Sequence, residues 1–159
     1  MADFTVWLEG SALGVWTRES GSLWAYPTIL TLHTVGLGIV VGANAVVDFR
    51  LLGFAPRLPV PSLTPLFRFV WFGFALNALT GVVLFIAEAT TRAKQPVFYI
   101  KLTLIALALV NTALIQTVVF RDPALIESDI IPRRGRRLAT VSLLLWTGAI
   151  TAGRLMAYL

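Results

Sequence analysis

Cysteine is absent from the 159 residues, histidine occurs once, methionine occurs twice, and only 13% of residues carry a charge. These shortages exclude whole classes of chemistry. Without cysteine there is no disulfide framework, thiolate metal site or redox thiol. One histidine and two methionines cannot assemble a copper or zinc site from soft ligands within one chain. A nucleophile, base and orienting acid do not form a recognisable set either, because a lone histidine without a partnered serine or cysteine motif is not a triad. The glycine run "GLGIVVG" lies inside an apolar stretch, so it is not a phosphate-cradling loop.

What is present is hydrocarbon. Hydrophobic residues make up 57% of the chain and mean hydropathy is +0.82, whereas a soluble domain carries roughly 25% charged residues. The chain reads as an integral membrane protein: one all-α domain, residues 1–159, built as a four-transmembrane-helix bundle. Charge-free windows cover 20–47, 69–87, 102–120 and 138–153, each near the about 20 residues that cross a bilayer. Flanking aromatic and basic anchors (Trp24, Tyr26, Phe67, Arg68, Phe98, Tyr99, Arg137, Tyr158) extend the predicted spans to about 22–47, 66–89, 97–120 and 138–158.

The connections agree. "APRLPVPSLTP" holds four prolines in eleven residues and separates the first two spans. "RAKQP" is a short turn. In "RDPALIESDIIPRRGRR" the apolar residues Leu125, Ile126, Ile130 and Ile131 fit a short piece lying on the membrane surface. Ahead of the first span, Phe4, Trp7, Leu8, Ala12 and Val15 recur at helical spacing, which predicts an N-terminal interfacial amphipathic helix over about 2–16. The start "MADFTVWLEGSALGVWTRES" has no basic region ahead of an apolar run, so this segment is expected to be retained rather than cleaved as a signal peptide.

The net charge of +5 comes mostly from arginine beside apolar segments. In a membrane protein that pattern reports orientation and contact with membrane lipids, and no nucleic-acid partner is expected. Arg50, Arg57, Arg68, Arg121, Arg133, Arg134, Arg136 and Arg137 fall on one side, and Arg18, Arg92, Lys94, Lys101 and Arg154 on the other. Basic residues concentrate in the cytoplasm, so both termini are predicted outside.

Polar residues within the spans are the informative ones, because each needs a partner in hydrocarbon. Counted inward from the predicted span ends at about 1.5 Å per residue, His33, Asn77, Asn111 and Thr147 fall near one level, one per helix. Two readings stay open: interhelical hydrogen bonds with nothing bound, or a ligand held between helices with His33 as its distinctive group. Nearer the outer ends, Glu88, Lys101 and Arg154 could pair or reach water, or Lys101 and Arg154 could clamp a carboxylate. His33, Leu37, Asn44 and Asp48 share a helical face that could carry protons. Small residues, Gly38-x-x-x-Gly42, Gly73, Gly81, Gly148-x-x-x-Ala152 and Ala149-x-x-x-Gly153, offer close-packing faces in excess of what one bundle uses, and predict a homo-oligomer.

Haem escapes the exclusions above, since it needs as little as one protein ligand, cations for its propionates and an apolar pocket. The expectation is haem b with His33 as axial metal ligand, Lys101 and Arg154 near the propionates, and Asn77, Asn111 and Thr147 in the same pocket.

Together, "WLEGSALGVWTRES", "YPTILTLHTVGLGIVVG", "DFRLLG" and "GFALNALTGVVLF" resemble a family of small, uncharacterised bacterial inner-membrane proteins, and the outline is similar to cytochrome b561-like and CopD-like four-helix membrane bundles. The resemblance covers nearly the whole chain. It implies a bacterial inner-membrane bundle, with both termini then periplasmic, in which the position of His33 is a recurring histidine. It also implies that relatives often carry a histidine late in the third span, where this chain has Gln116. A haem here would therefore be five-coordinate or take its sixth ligand from another subunit. The expected function is a b-type haem protein for electron transfer or redox sensing, working with a redox partner. The alternatives are a cofactor-free membrane assembly or interaction protein with His33 as a structural core residue, and proton-coupled transport.

Overall fold

The computed structural model describes residues 2–122, 125 and 130–158. Among these residues seven helices follow one another: α1 (Ala2–Glu9), α2 (Ala12–Glu19), α3 (Tyr26–Leu52), α4 (Leu66–Ala87), α5 (Ala89–Arg92), α6 (Pro96–Leu114) and α7 (Arg133–Leu155). A 3₁₀ turn at Val60–Leu63 precedes α4, and a π-helical stretch, Ile115–Val119, prolongs α6. Among the described residues there is no strand.

Local chemistry sets the boundaries. Pro27 and Pro96 stand in the first turns of α3 and α6, where a missing N–H leaves nothing unsatisfied. Gly53 ends α3 at φ 105°, a left-handed conformation that a side chain would resist. Ser11 caps α2 by accepting from the Gly14 N–H at 3.2 Å. Along the long helices Thr31, Thr34, Thr103, Thr117, Thr140 and Thr151 each donate to the carbonyl four residues back, which satisfies a hydroxyl where no water competes.

Four helical segments, Tyr26–Leu52, Val60–Ala87, Pro96–Val119 and Arg133–Leu155, are long and apolar enough to cross a membrane. They leave large apolar side chains outward, Leu79 at 69% exposure and Leu144 at 68% among them, as a surface solvated by acyl chains requires. This is a multi-pass membrane protein. Both termini lie at one end of the bundle, called here the terminus end, and the loops after α3 and α6 at the far end.

Three helix pairs pack extensively, α3 on α4, α6 on α7 and α3 on α7. The α3–α4 crossing is the tightest. A Cβ on Gly36 would lie 2.9 Å from the Asn77 nitrogen, and one on Gly73 2.8 Å from Ile39 Cγ2. Between α4 and α6 there is little backbone contact. Side chains bridge them instead: the Phe85 and Phe98 rings stack at 5.1 Å, and near the far end the Trp71 indole donates to Gln116 at 3.1 Å.

The core is layered. Val40, Val70, Ala108 and Trp146 form an apolar layer at mid-bundle. A larger cluster that includes Val47, Leu51, Val60, Phe67, Ile115, Val119, Leu125 and Ala139 closes the far end.

Several boundaries differ from expectation. The first span runs 26–52 rather than 22–47, because Asp48 and Arg50 are helical and buried at its far end. The last begins at Arg133 rather than 138, with Arg133, Arg134, Arg136 and Arg137 exposed on its first turns, where they reach water. The amphipathic N-terminus is two helices broken at Gly10–Ser11, not one. The surface-lying piece expected between 125 and 131 falls mostly outside the described residues; Leu125 itself is buried in the far-end cluster.

Candidate functional site: a cation-rimmed cavity at His33

Where α3, α4, α6 and α7 diverge toward the terminus end they line a half-open cavity of about 680 Å³. His33 projects into it from α3. Its ring rests against Gly81 of α4, where an added Cβ would meet His33 Cε1 at 3.1 Å. The ring Nδ1 lies 3.0 Å from the Asn77 carbonyl and 3.1 Å from the Thr80 hydroxyl. A carbonyl only accepts, so Nδ1 carries the proton. Thr80 gives its own proton to the Leu76 carbonyl at 2.7 Å and is free to accept from Nδ1. In return the Asn77 amide donates to the His33 carbonyl at 2.8 Å. This double link fixes the ring and leaves Nε2 with an unprotonated lone pair.

Apolar walls surround the ring: Leu37 and Val40 of α3, Phe74, Leu84 and Phe85 of α4, Phe98 and Ile105 of α6, and Trp146 of α7. Cations stand above them. Lys101 enters from α6 and lies along α7, with its Nζ 3.7 Å from where a Gly153 Cβ would be. Arg154 lines the same cavity from the last turn of α7, and Arg92 from α5. Arg92 is neutralised by Glu88 at 2.6 Å and donates to the Met156 carbonyl at 2.7 Å. Lys101 and Arg154 have no acidic partner among the described residues, so the rim carries a net positive charge.

The rim is mounted by the two N-terminal helices. Glu9 of α1 accepts from the Thr90 N–H at 2.8 Å and from the Thr90 hydroxyl, and Arg18 of α2 donates to Glu9 at 3.0 Å and to the Ala87 carbonyl at 3.2 Å. Both contacts hold the α4–α5 corner that presents Glu88 and Arg92. The Thr90 hydroxyl and then its N–H pull the Glu9 carboxyl below its ordinary pKa, against an opposing effect of burial that outweighs the small further pull of the Arg18 charge.

Of the residues singled out by sequence, the structure brings His33, Asn77, Lys101 and Arg154 to this cavity and places Asn111 and Thr147 elsewhere. Asn111 is buried nearer the far end and donates to the Leu138 carbonyl at 3.0 Å. Thr147 faces outward and is exposed. The expected common level fails because α3 starts at Tyr26, so His33 sits two turns from the terminus end rather than at mid-depth. That same shift merges the histidine with the cation cluster. Gln116 is at the far end, bonded to Trp71 and remote from His33. Sequence reasoning missed Trp146 and Gly81 as site residues. Trp146 carried a usable signal, an indole inside a span, since such an indole needs an acceptor or a cavity edge.

The fold and site define a four-helix bundle with membrane-spanning helices and a half-open cavity that joins an imidazole to a positive rim. No known protein family, curated protein or solved structure matches the chain, so function rests on the geometry.

Proposed function

We propose that the cavity binds haem b, with His33 as axial ligand and Lys101 and Arg154 on the propionates, making the protein a small b-type membrane protein of electron transfer or redox sensing. The observation that carries this reading is the 3.0 Å contact between His33 Nδ1 and the Asn77 carbonyl, an oxygen that can only accept. The His33 Nδ1–H is committed to the Asn77 carbonyl, and a metal-bound histidine nearly always gives its second N–H to such an acceptor while the other nitrogen binds. The remaining features fit the group. A volume of about 680 Å³ lies within the about 300–1,000 Å³ range of small-molecule sites. The walls are aromatic and aliphatic, and two unpaired cations stand where a planar dicarboxylate needs them.

When bound, haem would supply one-electron redox chemistry. The residues of this chain would hold it: Nε2 of His33 would ligate, Lys101 and Arg154 would neutralise carboxylates, and Phe74, Leu84 and Ile105 of the lining would exclude water. No second imidazole exists in the chain, so a second histidine ligand would have to come from another subunit.

Purified protein should show an intense haem absorption band that shifts on reduction. His33→Ala should abolish the band while helicity and membrane insertion persist, Gln116→Ala should leave it unchanged, and Lys101→Ala or Arg154→Ala should weaken haem retention several-fold. A preparation that stays colourless after haem supplementation sinks the proposal. The reciprocal His33–Asn77 hydrogen bonds favour the second reading in that event, a cofactor-free assembly or interaction protein in which His33 joins α3 to α4.

A further inference from the structure

Beneath the cavity lies a polar layer sealed between the two apolar ones. Above it are Val40, Val70, Ala108 and Trp146; below it is the far-end cluster with Val47, Leu51, Ile115, Val119 and Ala139. The layer contains Asn44 and Asp48 on α3, Thr112 on α6 and Ser142 on α7, all between 0% and 2% exposed. Asn44 and Thr112 satisfy one another: Thr112 donates to Asn44 Oδ1 at 2.9 Å, and Asn44 donates to the Val40 carbonyl at 2.9 Å. The other two do not. Both oxygens of Asp48 and the hydroxyl of Ser142 are buried without a hydrogen bond of good geometry, although Ser142 lies close enough to Asp48 across the α3–α7 contact to interact with it.

Among the described residues no charged side chain hydrogen-bonds to Asp48. Arg50, on the same helix, directs its guanidinium to the carbonyls of Leu58 and Pro56. The groups packed around the layer from α6, α7 and the 3₁₀ turn, Ile115, Ala139, Val60 and Leu63, are apolar. A carboxylate in hydrocarbon requires a counter-charge. Among the described residues the layer offers oxygens to hold one: the two of Asp48, the hydroxyl of Ser142, the second lone pair of Asn44 Oδ1 and the oxygen of Thr112. Oxygen donors of this kind suit a hard cation. The indole N–H of Trp146, also unpartnered, is a donor and supplies no ligand.

We infer that Asp48 and Ser142, with Asn44 behind them, form an occluded site for one monovalent cation, either a proton or sodium. The site is distinct from the cavity and does not depend on what the cavity binds. It sits below a floor of Val40 and Trp146, so exchange with solvent requires the two helices to part.

The experiment uses the whole protein in nanodiscs and separates the two cations. Thermal unfolding is followed in sodium chloride and in choline chloride at equal ionic strength, and infrared spectra are recorded for the carboxylic-acid C=O stretch. A sodium site raises the unfolding temperature of the parent in sodium over choline; Asp48→Asn removes the difference and Ser142→Ala weakens the sodium affinity several-fold. A proton site shows no sodium effect but a carboxylic-acid band that shifts in D₂O, disappears in Asp48→Asn and moves in Ser142→Ala. Ser142→Ala tests the same point should Asp48→Asn fail to fold. An ionised Asp48 with no response to sodium overturns the inference.

Discussion

Thr90 meets Glu9 twice, through its N–H and its hydroxyl, and those two bonds are made to the ionised carboxylate. The folded protein therefore holds Glu9 below its ordinary value of 4.5. The linkage follows from that direction: the contribution of this contact is complete above the unfolded value and fades as pH falls through the lower folded one. Docking of α1 on α5 should hold undiminished above about pH 5 and loosen only in more acidic solution. A cysteine-free chain makes the measurement clean, since Phe4 is 62% exposed on α1 and Phe4→Cys can carry a spin label. Label mobility should rise below pH 4.5 in the parent, and should already be high and insensitive to pH in Glu9→Gln. A flat profile in the parent would show that the carboxylate is not what docks the helix.

At the scale of helices, glycine separates contacts made within the chain from faces left open. Gly36 and Gly73 let α3 and α4 touch, with projected Cβ contacts at 2.9 and 2.8 Å, and Gly153 seats Lys101. Gly38 and Gly42 meet nothing within 4 Å. Gly36→Ala or Gly73→Ala should therefore cost about 1–3 kcal/mol by overpacking and displace Asn77 from His33. Gly38→Leu and Gly42→Leu should leave the unfolding of the monomer unchanged and weaken only self-association, if that face joins two copies. Equal destabilisation of both pairs in a detergent unfolding titration would refute the assignment of faces. The four long apolar helices were legible in charge-free windows, because hydrocarbon disfavours charge regardless of detail. Depth was not. It depends on where each helix starts, and Asp48 and Arg50, which look like a boundary, are absorbed into α3 by burial and by bonds to the following loop. His33 was thus recognisable as a residue type, while its meeting with Lys101 and its separation from Asn111 required the register.

Across the whole molecule, charge is distributed by end. An even number of spans puts both termini together, and the far end collects Arg57, Arg68, Arg121, Arg133, Arg134, Arg136 and Arg137, with Arg50 just inside it. The terminus end has Arg18, Arg92, Lys94 and Arg154 at its surface, while Lys101 is drawn into the cavity. Burial of Lys101 widens the asymmetry, because basic residues orient a chain through the flanks that stay near headgroups. Glu9, Glu19 and Glu88 pair with the basic residues of the terminus end, but acidic residues contribute little to orientation, so the bias stands. The far end should face the cytoplasm, which would open the cavity and its positive rim toward the outer leaflet. Single cysteines decide it: Tyr158→Cys should react with an impermeant maleimide on intact cells, and Ser62→Cys, in the exposed loop after α3, only after permeabilisation. The reverse pattern would turn the molecule over and place the cavity, and any redox partner that reaches it, on the cytoplasmic side.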